Sequence, residues 1–229
     1  MKKFLATLLA LTMALALVAC GGNNSAGTSG NDAGGANTSG DTAGNASGDA
    51  SGAAGGTFTI GVIGPLTGGN AIYGTNVANA AQIAVDEINA LGGDVQFSLI
   101  SEDDTGDAET AVNAYNALMD QGMQILLGTV TTGPALAVVP YAYDERVFTL
   151  TPSGSGDDVI EGNDNVFQVC FTDSNQGTRS AQYIDEHFED PQIAVIYRND
   201  DAYSQGIRDN FVAEAESRGM SIVYEGTFT

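Results

Sequence analysis

Between Thr57 and Thr229, short apolar runs alternate with stretches whose apolar residues recur at helical spacing. Thr57 to Gly64 reads as a first strand, followed by a glycine-rich loop, Pro65 to Gly74. A helix then places Val77, Ala80, Ala81, Ala84, Val85, Ile88 and Leu91 on one side, and Gly92-Gly93 stops it. Val95 to Ile100 alternates weakly as a second strand, and Ser101 to Asp107 is polar loop. A second helix carries Ala111, Val112, Tyr115, Leu118 and Met119 on one face and ends at Gly122. Gln124 to Gly128 predicts a third strand, Pro134 to Asp144 a third helix and Val147 to Leu150 a fourth strand. Asn165 to Phe171 is a further apolar run of strand character, followed by an amphipathic helix through Tyr183, Ile184 and Phe188. Ile193 to Tyr197, a helix with Ile207, Phe211, Val212 and Ala215 facing inward, and Met220 to Phe228 complete the series. Strand and helix alternate throughout, which places the chain in the α/β class. Parallel βαβ units with right-handed crossovers and helices on both faces are expected.

Ile125-Leu126-Leu127-Gly128-Thr129-Val130-Thr131-Thr132-Gly133-Pro134 is the stretch around which the rest is organised. It reads as the carboxyl end of a buried strand turning into a helix N-terminus, the place where open α/β sheets hold ligands. Free N–H groups and the helix dipole suit an anion there, and Thr131 and Thr132 add hydroxyls. No lysine or arginine stands near them in sequence, so the anion should be as small as a carboxylate. Thr131 or Thr132 could equally serve only as the helix N-cap. The loop is expected to be exposed.

The N-terminal part changes the picture of where this domain works. Met1-Lys2-Lys3 is basic and Phe4 to Ala19 apolar apart from two threonines, the layout of a secretory signal peptide over residues 1–19. Leu17-Val18-Ala19-Cys20 at its end resembles the lipobox of bacterial lipoproteins, in which the cysteine, here Cys20, carries the lipid. From Gly21 to Gly56 every residue is Gly, Ala, Ser, Thr, Asn or Asp, which cannot offset its ordering entropy, so residues 20–56 read as a lipidated cysteine and a flexible tether. Beyond Cys20, five arginines stand against 29 acids, a formal charge of −24 that repels nucleic acid and anionic headgroups. Cys170 is the one cysteine after Cys20, so the exported domain has no internal disulfide; in its apolar run it is expected to be a buried small hydrophobe.

Much chemistry is excluded. The first loop is not GxGxxG, no P-loop exists, and Ser155 lacks GxSxG spacing although it lies between Gly154 and Gly156. His187 sits among acids late in a helix and reads as solvated. No His/Cys cluster suggests zinc. Glu102, Asp103, Asp104, Asp107 and Glu109 could suggest calcium, but their spacing is not that of an EF-hand loop, and acids ahead of a helix commonly serve its dipole. No cofactor is expected. What remains is a set of strand ends rich in hydroxyls and tyrosines: Tyr73, Thr132, Ser153 and Ser155 at the carboxyl edge of one sheet, Tyr203 at that of the later one. Hydroxyls without a base or a metal bind rather than catalyse, so the chain does not read as an enzyme.

Taken jointly, several blocks resemble a known family. Ile60-Gly61-Val62-Ile63-Gly64-Pro65-Leu66-Thr67-Gly68, Ala71-Ile72-Tyr73-Gly74 and Ala84-Val85-Asp86-Glu87-Ile88-Asn89 resemble the start of the leucine/isoleucine/valine-binding proteins. Gly128 to Pro134, Leu150 to Ser155 and Asp200 to Gly206 are similar to its later blocks. These are type I periplasmic substrate-binding proteins of ABC importers, two α/β lobes closing on a ligand. The resemblance implies a near-complete first lobe, residues 57–172, and a partial second lobe, residues 173–229. It implies that Thr132 holds the ligand carboxylate, that Ser153 and Ser155 address carboxylate and ammonium, and that Tyr73 and Tyr203 wall the side-chain pocket. The implied partners are a small amino acid, branched-chain or otherwise aliphatic, and an ABC permease in the membrane, with the protein lipid-anchored on the outer face of the bacterial cytoplasmic membrane and no nucleic acid involved. A sensory module of the same fold, serving a receptor kinase or chemoreceptor, is the alternative. Family members carry a further large segment that completes lobe two and supplies an acid for the ammonium. This chain is therefore expected to be C-terminally truncated and to bind poorly by itself.

Overall fold

The structure, a computed structural model, describes residues 55–229. The leader, Cys20 and nearly all of the tether lie outside the described residues. The elements are β1 (Gly56–Gly64), α1 (Ala71–Ala90), β2 (Val95–Asp103), α2 (Ala108–Asp120), β3 (Ile125–Gly128), α3 (Thr132–Asp144), β4 (Phe148–Thr151) and β5 (Val166–Gln168), with a 3-10 turn at Asp157–Val159. They continue with α4 (Asp173–His187), β6 (Gln192–Arg198), α5 (Ala202–Ser217) and β7 (Ser221–Phe228). This is an α/β protein in which strand and helix alternate.

Five strands form one parallel sheet in the order β2-β1-β3-β4-β5, and β6 and β7 pair in parallel in a second. Because β2 lies on one side of β1 and β3 on the other, the chain reverses its winding between β1 and β3. Loops leaving the carboxyl ends of those two strands therefore diverge to opposite faces and leave a crevice, the position where such sheets bind ligands. The strand ends are level there, with Ile63 opposite Gly128.

The core of the larger sheet lies beneath α2 and α3, where Ile63, Tyr115, Leu118, Leu126, Val138 and Ala142 pack together, all nearly or wholly inaccessible. Tyr115 keeps its hydroxyl satisfied by donating to Glu145 Oε2 at 2.9 Å. A smaller cluster of Ala135, Val139, Val159 and Val166 fills the space under β4 and β5. The acidic loop after β2 is used locally. Asp107 caps α2, accepting from Thr110 N at 2.8 Å, so its carboxyl sits below the usual range. Asp103 accepts from Leu66 N and Thr105 N, both at 2.8 Å, and from Thr67 Oγ1 at 2.5 Å, which ties the β1–α1 loop to the end of β2. Burial alone would raise the Asp103 pKa; these hydrogen bonds outweigh it and hold the group charged.

Three expectations are corrected. Helix α3 begins at Thr132, ahead of Pro134, because a proline in the first turn gives up an N–H that has no intrahelical acceptor. Strand β5 stops at Gln168 rather than running to Phe171. Its neighbour β4 ends at Thr151, whose carbonyl accepts from Val169 N at 3.1 Å, and beyond that no ladder remains. Cys170 is half-buried rather than core.

Candidate functional site

The β3–α3 loop leaves the sheet through Gly128, whose φ of 143° disfavours a side chain. A Cβ there would also meet Ile63 O at 2.5 Å, so only glycine lets β3 end level with β1. The Gly128–Thr129 peptide is cis. Thr131 occupies the N-cap position with extended backbone, but its side chain makes no capping bond. Its Oγ1 is buried and has no partner. With the N–H groups of Thr132 and Gly133, which have no intrahelical acceptor, it leaves this helix start rich in uncommitted donors.

The loop after β4 is tied to this one by side-chain bonds. Thr151 Oγ1 donates to Thr129 O at 2.8 Å and accepts from Gly154 N at 2.8 Å. Ser153 Oγ donates to Val130 O at 2.6 Å. Ser155 N donates to Thr132 Oγ1 at 3.2 Å. Thr132 and Ser155 are each 3 % exposed, so the expectation of an exposed loop is wrong at Thr132, which the Ser155 bond draws into the structure.

Two further elements bring the tyrosines. Tyr73 stands in the first turn of α1, held against the β1–α1 loop by the close approach of Gly74 to Pro65. Tyr203 stands in the first turn of α5, which Asp201 caps by accepting from Ser204 N at 3.0 Å. Tyr203 donates to Gln176 Oε1 at 3.4 Å. Tyr73, Thr132, Ser153, Ser155 and Tyr203 all line one cleft of about 440 Å³. That volume falls in the range of small-molecule pockets.

Thr131, expected at the anion end, lines the cleft as well, together with residues that sequence reasoning missed: Cys170, Arg198 and Asp201. Arg198 engages Asp200 through Nε at 2.7 Å and Nη2 at 3.2 Å, so its charge is largely matched. Burial raises the Cys170 thiol, aided by the nearby Asp173 charge, which leaves it protonated and unreactive. The Asp201 position had a legible signal, since an Asp three residues before Ser204 at a helix start is an N-cap pattern. Nothing in sequence separates Arg198 or Cys170 from surface or core residues.

The commitments of the hydroxyls give the cleft a polarity. Ser153 donates its hydroxyl hydrogen to Val130 O, which leaves its lone pairs for the cleft it lines. Thr132 has accepted from Ser155 N and keeps its own proton, and Thr131 is uncommitted. Donors thus gather at the start of α3, and an acceptor, Ser153, stands on the β4 loop, with the Asp201 carboxyl lining the same cleft. Among the described residues, no group of three or more His, Cys, Asp or Glu side chains could hold a metal.

A family profile described as periplasmic binding protein matches residues 57–229. The chain belongs to the periplasmic binding protein family. The Leu/Ile/Val-binding protein BraC3 of Rhizobium johnstonii is 35% identical over 174 residues, covering 75% of this chain and 47% of that protein. Among solved structures, the branched-chain amino acid substrate-binding protein LivJ of Streptococcus pneumoniae, in complex with isoleucine, aligns with a TM-score of 0.70 at 29% identity, over 76% of this chain and 50% of that one. The leucine-binding protein LivK of Thermotoga maritima aligns at 0.68 and 27% identity, over 74% and 48%. The chain thus spans about half the length of the relatives it matches. As a periplasmic binding protein fold, the cleft lies where the switch point of the larger sheet meets the start of α5.

Proposed function

We propose that the chain forms the ligand-recognising part of an extracytoplasmic solute-binding lipoprotein, which captures a small aliphatic α-amino acid for an ABC importer. The observation that supports this best is the polarity of the cleft. A carboxylate fits the donor end formed by Thr131, Thr132 and the start of α3, where the helix dipole favours it. An ammonium fits the acceptor end formed by Ser153, Ser155 and Asp201. A zwitterion satisfies both ends at once. Tyr73 and Tyr203 then supply apolar area for the side chain. Lobe one corresponds to residues 57–172 and lobe two begins at Asp173. The names of BraC3, LivJ and LivK make branched-chain amino acids the first candidates.

The experiment is titration calorimetry on the full-length protein with leucine, isoleucine and valine, alongside 4-methylpentanoate and isopentylamine, which carry one charge each. Loss of either charged contact should weaken binding about 10-fold or more. Equal affinity for leucine and either analogue contradicts zwitterion recognition. Anchoring is tested separately: Cys20→Ser should move the protein from the membrane fraction to the soluble one, and retention in the membrane refutes the lipid anchor.

A further inference from the structure

Phe171 stands where two cavities meet. It lines the cleft of about 440 Å³, and it also lines a groove of about 540 Å³ that runs along α4 past Asn175, Arg179, Tyr183 and Ile184. No other described residue is shared by the two. The Tyr203 hydroxyl, in the cleft, donates to Gln176 Oε1, in the groove, at 3.4 Å, so a second contact marks the same boundary. Phe171 belongs to a connection without helix or strand, residues 169–172, and is 61 % exposed, so its replacement should disturb the fold little. The connection is nevertheless pinned on both sides of it. Val169 N donates to Thr151 O at 3.1 Å, and the N–H of the buried Asp173 donates to Ser155 O at 2.9 Å. Thr151 ends β4, and Ser155 lies on the loop after it, which also carries Ser153. The ring is thereby held in place relative to the polar end of the cleft, as a wall that measures ligand size must be.

We propose that Phe171 is a specificity-determining residue: its ring closes the cleft off from the α4 groove and limits the ligand to a short apolar side chain. This rests on the amino-acid-binding function above and names what sets the upper size of the ligand. Tyr73 and Tyr203 also line the cleft, but neither lines the α4 groove, so neither separates the two spaces. A side chain of branched-chain size ends against the Phe171 ring. A longer one must displace the ring or stay out. In an apolar pocket a single extra methylene already changes affinity about 10- to 200-fold. Truncating the ring to a methyl group joins the cleft to the groove, where Tyr183 and Ile184 offer apolar surface and no acid lines the wall.

The test is calorimetry on the full-length protein and its Phe171→Ala variant with leucine and with phenylalanine. The wild type should prefer leucine by about 10-fold or more. Phe171→Ala should weaken leucine about threefold through lost contact and strengthen phenylalanine, so that the preference shrinks by about 10-fold or more. Phe171→Leu, which shortens the wall without removing it, should fall between the two and carries the test if Phe171→Ala does not fold. A preference unchanged within about twofold, or equal losses for both ligands, overturns the assignment and leaves Phe171 a plain connector residue. A wild type that binds phenylalanine as tightly as leucine overturns it too. If the wild type binds leucine but the preference does not move, only this inference fails. If the wild type binds none of the branched-chain amino acids, the function proposed above fails with it.

Discussion

Replacing Thr132 by Val removes one oxygen and keeps the shape of the side chain. That oxygen has two tasks. In the protein it accepts from Ser155 N at 3.2 Å, between residues that are each 3 % exposed. Without it the Ser155 N–H is buried and unpaired, a cost of about 1–3 kcal/mol. The bond is at the long end of the N–H···O range, so the lower half of that interval applies. For a domain of this size, each kcal/mol lowers Tm by about 2–4 °C, so a loss of roughly 2–8 °C is expected. Toward the ligand, the Thr132 proton is the donor left over once Ser155 N is bound. Its loss removes a hydrogen bond to a carboxylate, about 1.5–3 kcal/mol, or about 10- to 150-fold in Kd. Thr132→Ser keeps the oxygen and loses only the methyl that packs against Gly156, so it should retain affinity within a few-fold. The assay is a calorimetric titration of leucine against the three proteins at full length, with thermal melts in parallel. Wild-type affinity in the Val variant, or equal losses in the Val and Ser variants, would refute the donor role. An affinity loss with no change in Tm would refute the claim that Thr132 ties the two loops together.

Asp104 is fully buried, accepts from Gly106 N at 2.8 Å through Oδ1, and has no partner at Oδ2. Burial, with the charges of Asp103 and Asp107, pushes its carboxyl up to about 6. The folded state then holds its proton more tightly than the unfolded chain, so the contribution of this group to stability is most favourable below pH ~4, falls as pH rises to about 6 and is level above. Asp104→Asn should raise stability at pH 7 by about 1–3 kcal/mol and flatten that slope in urea titrations at pH 4.5 and 7. A variant with the wild-type slope would place the titration elsewhere. Gly74→Ala should cost at least about 1–3 kcal/mol in thermal melts, since its Cβ would collide with the Pro65 backbone, and it should displace Tyr73 from the cleft. A variant as stable as wild type would show that α1 can shift away freely.

The order of elements and the switch-point position of the site were legible, because alternating buried strands and amphipathic helices leave few other arrangements. Ile125 to Gly128 shows why: an apolar run ended by glycine and followed by hydroxyls has little choice but to be a strand end. The apolar run through Val169, Cys170 and Phe171 shows where this reading stops. Hydrophobicity suggested continued strand, yet Val169 is 68% and Phe171 61% exposed. A cleft wall and a core strand have the same composition, and only the length of the neighbouring strand, fixed by tertiary structure, separates them. Asp104 and Asp173 were equally hidden. In a chain with 29 acids a buried carboxyl looks like any surface one, and neither the bond from Asp104 N to Gly64 O nor the packing of Gly156 and Gly206 against Asp173 is a local property.

The least legible feature is also the one on which ligand chemistry depends. Thr131, Thr132, Ser153 and Ser155 are interchangeable on paper, since each hydroxyl can donate or accept. The fold removes that freedom one proton at a time. Val130 O accepts the hydrogen bond of the Ser153 hydroxyl, and Ser155 N donates to a lone pair of Thr132. Ser153 thereby becomes an acceptor and Thr132 a donor in the lining of one 440 Å³ space. The loops that do this are those at the switch point, so the topology that opens the crevice also sets its polarity. A substitution that leaves every hydroxyl in place but moves the Val130 carbonyl would reverse the role of Ser153 without changing the composition of the site.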